Sequence, residues 1–453
     1  MGLTAERGWR AATLLGLRGG ARRERLAHAA VVAVTAGAAL LVFIDFILAP
    51  ITGHFSGSFD DFGPILAAGH AANAGTDPYA TFLANWRTSM AANLGFDYLP
   101  VVATLARPLA ALPHQVAVAL WLWGILGCTV GASVITARTV LPARWPRTAI
   151  GLSAGVLFAP ALYNLWHGQM NEVVLLSLAV AFWAWIRGDE ITCGLALGFG
   201  GVAKLAPAAL LLLLLARRWW RGAAAGAAVG ALALLAGGLT IGVRRSIEWI
   251  TQVLPALQRA DGWYFNQSLG GLISRLVDHS VGHVQPTLPW LQAVVTGISA
   301  ACLLAAAAVV RRGNAGADRR ALEFSAGVVA MVLAGSVAWW DDYSSLLIPL
   351  LVIAGLAARG VVGRPVVVAG SALLLVVGAA APAFLGLGGT GWLPGTFGTT
   401  WWWPALQLDS LPAWSAVALL VVLLVTLARD RARSWPRAGD EGTRAAPAVP
   451  SGP

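Results

Sequence analysis

Long apolar runs separated by short basic or polar clusters dominate the chain. The first occupies about 28–49, and others fall at about 115–137, 149–163, 172–187, 191–203, 206–216, 222–241, 290–310, 323–338, 345–358, 365–384 and 411–428. A membrane-crossing helix needs ~20 mostly apolar residues. The pattern therefore predicts an all-α polytopic membrane protein with about twelve transmembrane segments. The runs 191–203 and 206–216 are too short for two full crossings and read as a short helical hairpin hinged at Lys204-Leu205-Ala206-Pro207. A long polar connection, about 50–114, follows the first run and is expected to be partly helical along the interface. Its final portion, 98–113, is apolar but broken by Pro100, Pro108 and Pro113, as a re-entrant or interfacial piece would be.

Composition sharpens this picture. Of the 453 residues 58% are hydrophobic and only 11% charged, whereas a soluble domain carries roughly 25% charged residues. The net charge of +10 could suit nucleic acid. The basic residues, however, sit in short clusters between apolar runs, the pattern that orients a membrane protein, so no nucleic-acid partner is expected. If the N-terminus is cytoplasmic, 24 of the 31 basic residues fall in segments on that side. The expectation is a multi-pass protein of the inner (cytoplasmic) membrane with both termini in the cytoplasm. It has a basic N-terminus (1–27), a transmembrane body (28–428) and a disordered tail (429–453). Outer loops are expected at about 50–114, 164–171, 242–289, 339–344 and 385–410. The first run is longer than a signal-peptide core and lacks a small-residue cleavage site, so it reads as an uncleaved anchor. Cys128, Cys193 and Cys302 all lie in apolar runs, where packing is their expected role.

This topology gathers the unusual polar groups on one face. Asp60 and Asp61 follow the first run; paired acids there suit a general base, or a base beside a sugar ligand, and a solvated acidic loop is the competing reading. Lys204 is the only lysine, the other thirty basic residues being arginines. A lone ionisable group in an apolar segment points to function, here a compact charge for phosphate, against the alternative of snorkelling near a helix end. Gln169 and Asn171 offer amides at a helix start, although Asn171 also suits a plain helix cap. Asn266-Gln267-Ser268, within a loop that includes Trp263-Tyr264-Phe265, reads as sugar-binding or as ordinary loop polarity. In Trp339-Trp340-Asp341-Asp342-Tyr343 an interfacial aromatic belt accounts for the tryptophans but not for the acids. Asp45 is a rival carboxylate near the outer end of the first run. His167 lacks partners at zinc-ligand spacing, so no metal is expected.

Taken in order, these pieces resemble glycosyltransferase family 87. The matching stretches are Asp60-Asp61-Phe62 with Gly75-Thr76-Asp77-Pro78-Tyr79, then Phe96-Asp97-Tyr98-Leu99-Pro100 and Gly168-Gln169-Met170-Asn171. Gly194 through Lys204-Leu205-Ala206-Pro207 follows, then Asn266-Gln267-Ser268-Leu269, and Tyr343 before Leu346 to Leu350. The resemblance covers about residues 28 to 430. It implies a GT-C-like fold and transfer of a sugar, mannose first and arabinofuranose second, from polyprenyl phosphate to a glycolipid or cell-envelope polysaccharide acceptor outside the membrane. Asp61, with Asp60 beside it, is implied as the base of an inverting, metal-independent displacement. Lys204, with Arg245 and Arg275, would face the donor phosphate, while Asp60, Gln169, Asn171, Asn266, Gln267, Asp341, Asp342 and Tyr343 would hold hydroxyls. The lipid-linked sugar is a co-substrate, and no cofactor is implied. The chain departs from other members in carrying Asp341-Asp342 where histidines often follow the tryptophan. The competing class is a transporter or lipid-linked-sugar flippase, to which a discontinuous hairpin at mid-depth would belong.

Overall fold

The computed structural model describes residues 26, 29–53, 57, 60–85, 95–258, 262, 265–278, 289–313, 315–384 and 410–433. The arginines between positions 7 and 25, Trp263 and Tyr264, the loop 385–409 and the tail beyond 433 lie outside the described residues. All regular structure among the described residues is helical.

The first apolar run forms α1 (Ala29–Thr52), closed by Gly53 with a left-handed φ of +74°. The polar connection then yields α2 (Phe62–Ala74), α3 (Ala80–Asn85) and α4 (Pro100–Ala110). Pro100 stands in the first turn of α4, where its missing N–H leaves no helical bond unmade. The run at 149–163 is interrupted: α6 (Arg147–Leu157), which follows α5 (His114–Val140), meets α7 (Ala159–His167) at a bend of 59°. Pro160, in the first turn of α7, explains the break, because it has no N–H to donate back to Val156 and its ring crowds that carbonyl, so one helix cannot run through it.

Then come α8 (Asn171–Arg187), α9 (Glu190–Ala203), α10 (Ala206–Arg217), α11 (Trp220–Thr240) and α12 (Val243–Glu248, helical on to Leu257). The remaining helices are α13 (Leu269–Asp278), α14 (Pro289–Ala308), α15 (Ala317–Ala334), α16 (Trp340–Ala358), α17 (Arg364–Phe384) and α18 (Leu411–Arg433). A helix thus lies at each apolar run of the sequence. Among the described residues six helices (α1, α5, α11, α14, α16 and α18) are long and apolar enough to cross a membrane, or seven if the bent α6–α7 pair counts as one span. Glu190–Ala203, Ala206–Arg217 and the stretch Arg364–Ala379 of α17 are apolar but shorter, and α15 carries charges.

Close helix packing fixes where α9 ends. Gly194 and Gly198 on α9 face Gly222 and Gly226 on α11, so tightly that a Cβ at Gly194 would overlap the Gly222 carbonyl oxygen. Small residues at this spacing let two helix backbones touch, the usual device where helices pack within lipid. At the centre, α15 is buried on almost every side from Ala321 to Leu333. Near the start of α15, Glu323 is fully buried between Arg319 (Nε to Oε1, 2.9 Å) and Arg217 (Nη1 to Oε2, 3.4 Å). Arg319 also pairs with Asp430 of α18, and the Arg217 guanidinium stacks over Trp185 and Trp219. This cluster ties α8, α10, α15 and α18 together.

The glycine contact makes a sharp contrast testable. Gly194→Ala should lower the unfolding temperature in detergent, corresponding to the ~1–3 kcal/mol of an overpacked core. Gly124→Ala on α5, whose new Cβ meets nothing within 4 Å, should leave it unchanged or slightly raised. Equal melting of the two variants would contradict the packing.

Candidate functional site

Three backbone breaks carry the site. Gly168, with a left-handed φ of +69°, ends α7 and lets the chain turn into α8. The Asp61 N–H donates to the His167 carbonyl at 3.3 Å, fastening the acidic loop before α2 to this turn. Trp121 of α5 closes the other flank: its indole N–H donates to the Gly168 carbonyl at 2.8 Å, and its ring stacks on Phe62 at 5.0 Å between centroids. Tyr98 reaches the same turn, its hydroxyl 3.5 Å from Gln169 Oε1. Beside Asp61, Asp60 is half-exposed and lies 3.7 Å from His167 Nδ1.

The second break is Lys204. α9 stops there because the residue is extended, at φ −145° and ψ +138°, and Pro207 opens the next turn. A lysine at a helix C-terminus suits the negative end of the helix dipole. The third break is the start of α16, a tight 3-10 turn in which the Trp339 N–H donates to Asp342 Oδ2 at 2.9 Å. Acids at a helix N-terminus suit its positive end in turn. Lys204 Nζ meets this turn, donating to Asp342 Oδ1 at 3.1 Å and lying 3.9 Å from Asp341 Oδ2. Asp341 Oδ2 also accepts from Asn171 Nδ2 at 2.6 Å.

Of the sequence candidates, Asp60, Asp61, Gln169, Asn171, Lys204, Asp341 and Asp342 therefore converge on one end of the helical body. The others are placed differently. Arg245 of α12 pairs with Asp77 and, at 3.1 Å, with Glu248, so its guanidinium clamps α12 to the first polar connection. Arg275 is fully buried, donating to Ser410 Oγ at 2.8 Å and to the Asn266 carbonyl at 2.8 Å. Asn266 accepts from the Ala338 and Ser268 amides at 3.0 and 3.1 Å. Gln267 accepts the Tyr343 hydroxyl at its carbonyl (2.9 Å) and the Ala413 amide at its side chain (3.2 Å). These four residues brace α13 against α16 and α18. Asp45 is exposed on α1.

Sequence reading missed Asn164, Glu172, Thr129 and a role for Asp97. Asn164 and Glu172 are fully buried, and their only signal was a polar pair in the stretch around a helix start. Asp97, quoted in a motif but given no task, lies within electrostatic reach of both Asp61 and Lys204.

Asp61 and Asp97 lie outside the spanning segments. Burial pushes the Asp61 carboxyl up to about 7; Lys204 opposes this, and the negative charges of Asp97, Asp60 and Asp342 reinforce it. Burial likewise lifts Asp97 to about 6, again against Lys204. A carboxyl poised near neutrality can take up a proton at physiological pH, which an ordinary surface aspartate does poorly. Lys204 can neutralise an anion, provided the anion displaces Asp342 from it. Among the described residues no group of three or more histidine, cysteine or acidic side chains is arranged to hold a metal ion.

These features define a multi-pass helical membrane protein with an acid–ammonium site at one end of its helical body. The sequence profile of glycosyltransferase family 87 matches residues 96–336, just over half of the chain, and the protein belongs to that family. It is 29% identical over 196 residues to a polyprenol-phosphate-mannose-dependent alpha-(1-2)-phosphatidylinositol pentamannoside mannosyltransferase of Mycolicibacterium smegmatis. That match spans 42% of this chain and 46% of the relative, somewhat under half of its length.

The raised pKa of Asp61 has a signed consequence for stability. Between about 4 and 7 the folded protein holds a proton on Asp61 that the unfolded chain has lost, so this residue makes stability fall as pH rises through that window. Melting of the Asp61→Asn protein relative to the parent should therefore improve progressively from pH 5 to 7 and level off above. A constant difference across that range would contradict the assigned burial.

Proposed function

We propose that the protein transfers a sugar from a polyprenyl-phosphate donor to a hydroxyl of a glycolipid or cell-envelope glycan. The observation that carries this reading is the meeting of Asp61 and Lys204, the chain's sole lysine, at one acid-rich site. Asp61 is the base: its carboxylate takes the proton of the acceptor hydroxyl as that oxygen bonds to the anomeric carbon. The bond from the anomeric carbon to the phosphate oxygen breaks on the opposite face, so configuration inverts. Lys204 leaves Asp342 for the phosphate and neutralises the charge that grows on the departing polyprenyl phosphate. Such a contact is worth more in a partly desolvated site than in water. In this reading Asp60 and Gln169, at the same turn, hold hydroxyls.

The relative supports mannose as the sugar, with arabinofuranose the second choice. The cytoplasmic side is assigned to the arginine-rich ends, where Arg217, Arg319 and Arg320 gather, and the site to the extracytoplasmic side, following the positive-inside tendency. This puts both termini in the cytoplasm and leaves the shorter helices to complete further crossings as broken or tilted pieces.

Purified protein in detergent, given polyprenyl phosphomannose and a labelled glycolipid acceptor, should transfer the sugar without any ion gradient. Movement of lipid-linked sugar across vesicles without transfer would favour a flippase instead. Asp61→Asn should reduce the rate by about 10²–10⁴-fold, the typical contribution of a general base, and the parent's rate should rise with pH to a plateau with a midpoint near 7. Full activity of the Asn variant would remove Asp61 from the role.

A further inference from the structure

The mechanism leaves one buried acid without a task. Glu172, in the first turn of α8, has no exposed surface. Its Oε1 accepts from Asn164 Nδ2 at 2.8 Å and its Oε2 from the Thr129 hydroxyl of α5 at 2.7 Å, and Ser344 of α16 lies beside the same carboxyl. Asn164 spends its second amide hydrogen on the Asp341 carbonyl at 3.0 Å. Its own oxygen accepts from Asn171 Nδ2 at 3.3 Å, and that nitrogen's other hydrogen goes to Asp341 Oδ2. Asp341 in turn lies 3.9 Å from Lys204 Nζ.

Glu172 anchors one end of this chain, and Asp341 the other. A carboxyl oxygen accepting at 2.8 Å obliges Asn164 to face it with nitrogen. Asn164 must then turn its oxygen to Asn171, and Asn171 must offer nitrogen to Asp341. Without Glu172 the Asn164 amide keeps only the Asp341 carbonyl as an acceptor, so its side chain loses one of two anchors and holds Asn171 less firmly. We propose that Glu172 is a positioning residue for donor binding: through Asn164 and Asn171 it holds the Asp341-Asp342 turn in the place that sets Lys204. It touches neither substrate nor Lys204 itself. The inference rests on the reading of Lys204 as the group that meets the donor phosphate.

Two conservative variants separate position from charge. In Glu172→Gln the side-chain oxygen still accepts from Asn164, and the amide donates to Thr129, which can pass its own hydrogen to the Ile125 carbonyl 2.9 Å away. Glu172→Asp keeps the acid but is one methylene too short to span Asn164 and Thr129. In detergent assays with polyprenyl phosphomannose, the Asp variant should raise the donor KM about tenfold, within the coupling range of residues sharing one network. The Gln variant should stay within about twofold of the parent, and the acceptor KM should move in neither. In an Asn171→Ala background, Glu172→Asp should add nothing further to the donor KM. The proposal is overturned if Gln is as impaired as Asp, if donor and acceptor KM rise together, or if the two substitutions act additively. If Lys204→Met leaves the donor KM unchanged, the functional reading itself has failed; if Lys204→Met raises it and Glu172→Asp does not, only this inference has.

Discussion

The pairing of one ammonium group with two adjacent carboxylates organises the site end of the molecule. A lysine in the apolar body of a membrane protein is expensive unless partnered, and Lys204 is partnered by Asp342 at 3.1 Å and approached by Asp341 at 3.9 Å. Meeting that requirement joins the break after α9 to the start of α16. Asn171 then draws in α8, and the His167 carbonyl draws in Asp61 and the polar segment before α2. The glycine faces of α9 and α11 matter for the same reason, since they set the depth at which α9 ends.

The pair also constrains what the site can do. Asp61, Asp97, Asp341 and Asp342 lie within electrostatic reach of a single ammonium, while Arg245 and Arg275 are engaged by carboxylates, carbonyls and a serine elsewhere. An anion bound at Lys204 would compete with Asp342 for the ammonium. Burial raises the Asp61 carboxyl to about 7, Lys204 opposes the shift and the neighbouring acids add to it. Loss of Lys204 would therefore raise Asp61 further.

Much of this was legible in the sequence. Every apolar run became a helix, and the rarity of lysine singled out Lys204 among thirty-one basic residues. Asp61, Gln169, Asn171, Asp341 and Asp342 were picked out from type and place, and they meet. What stayed hidden depends on partners that only the fold supplies. Arg245 and Arg275 looked as available as Lys204, because composition does not reveal that Asp77, Glu248 or the Asn266 carbonyl would occupy them. Asn164 and Glu172 stand at the two ends of a polar stretch and were given no role, although both are fully buried. Hydropathy also does not register the 59° bend between α6 and α7, which breaks the single run at 149–163 into two helices.

The ion pair at Lys204 can be interrogated without turnover, by equilibrium binding of polyprenyl phosphate to the purified protein. If the phosphate replaces Asp342 on Lys204, Lys204→Met should lose most of the affinity while Asp342→Asn, which frees the ammonium, should gain it. Unchanged affinity in the Met variant, or loss in both, would contradict the account.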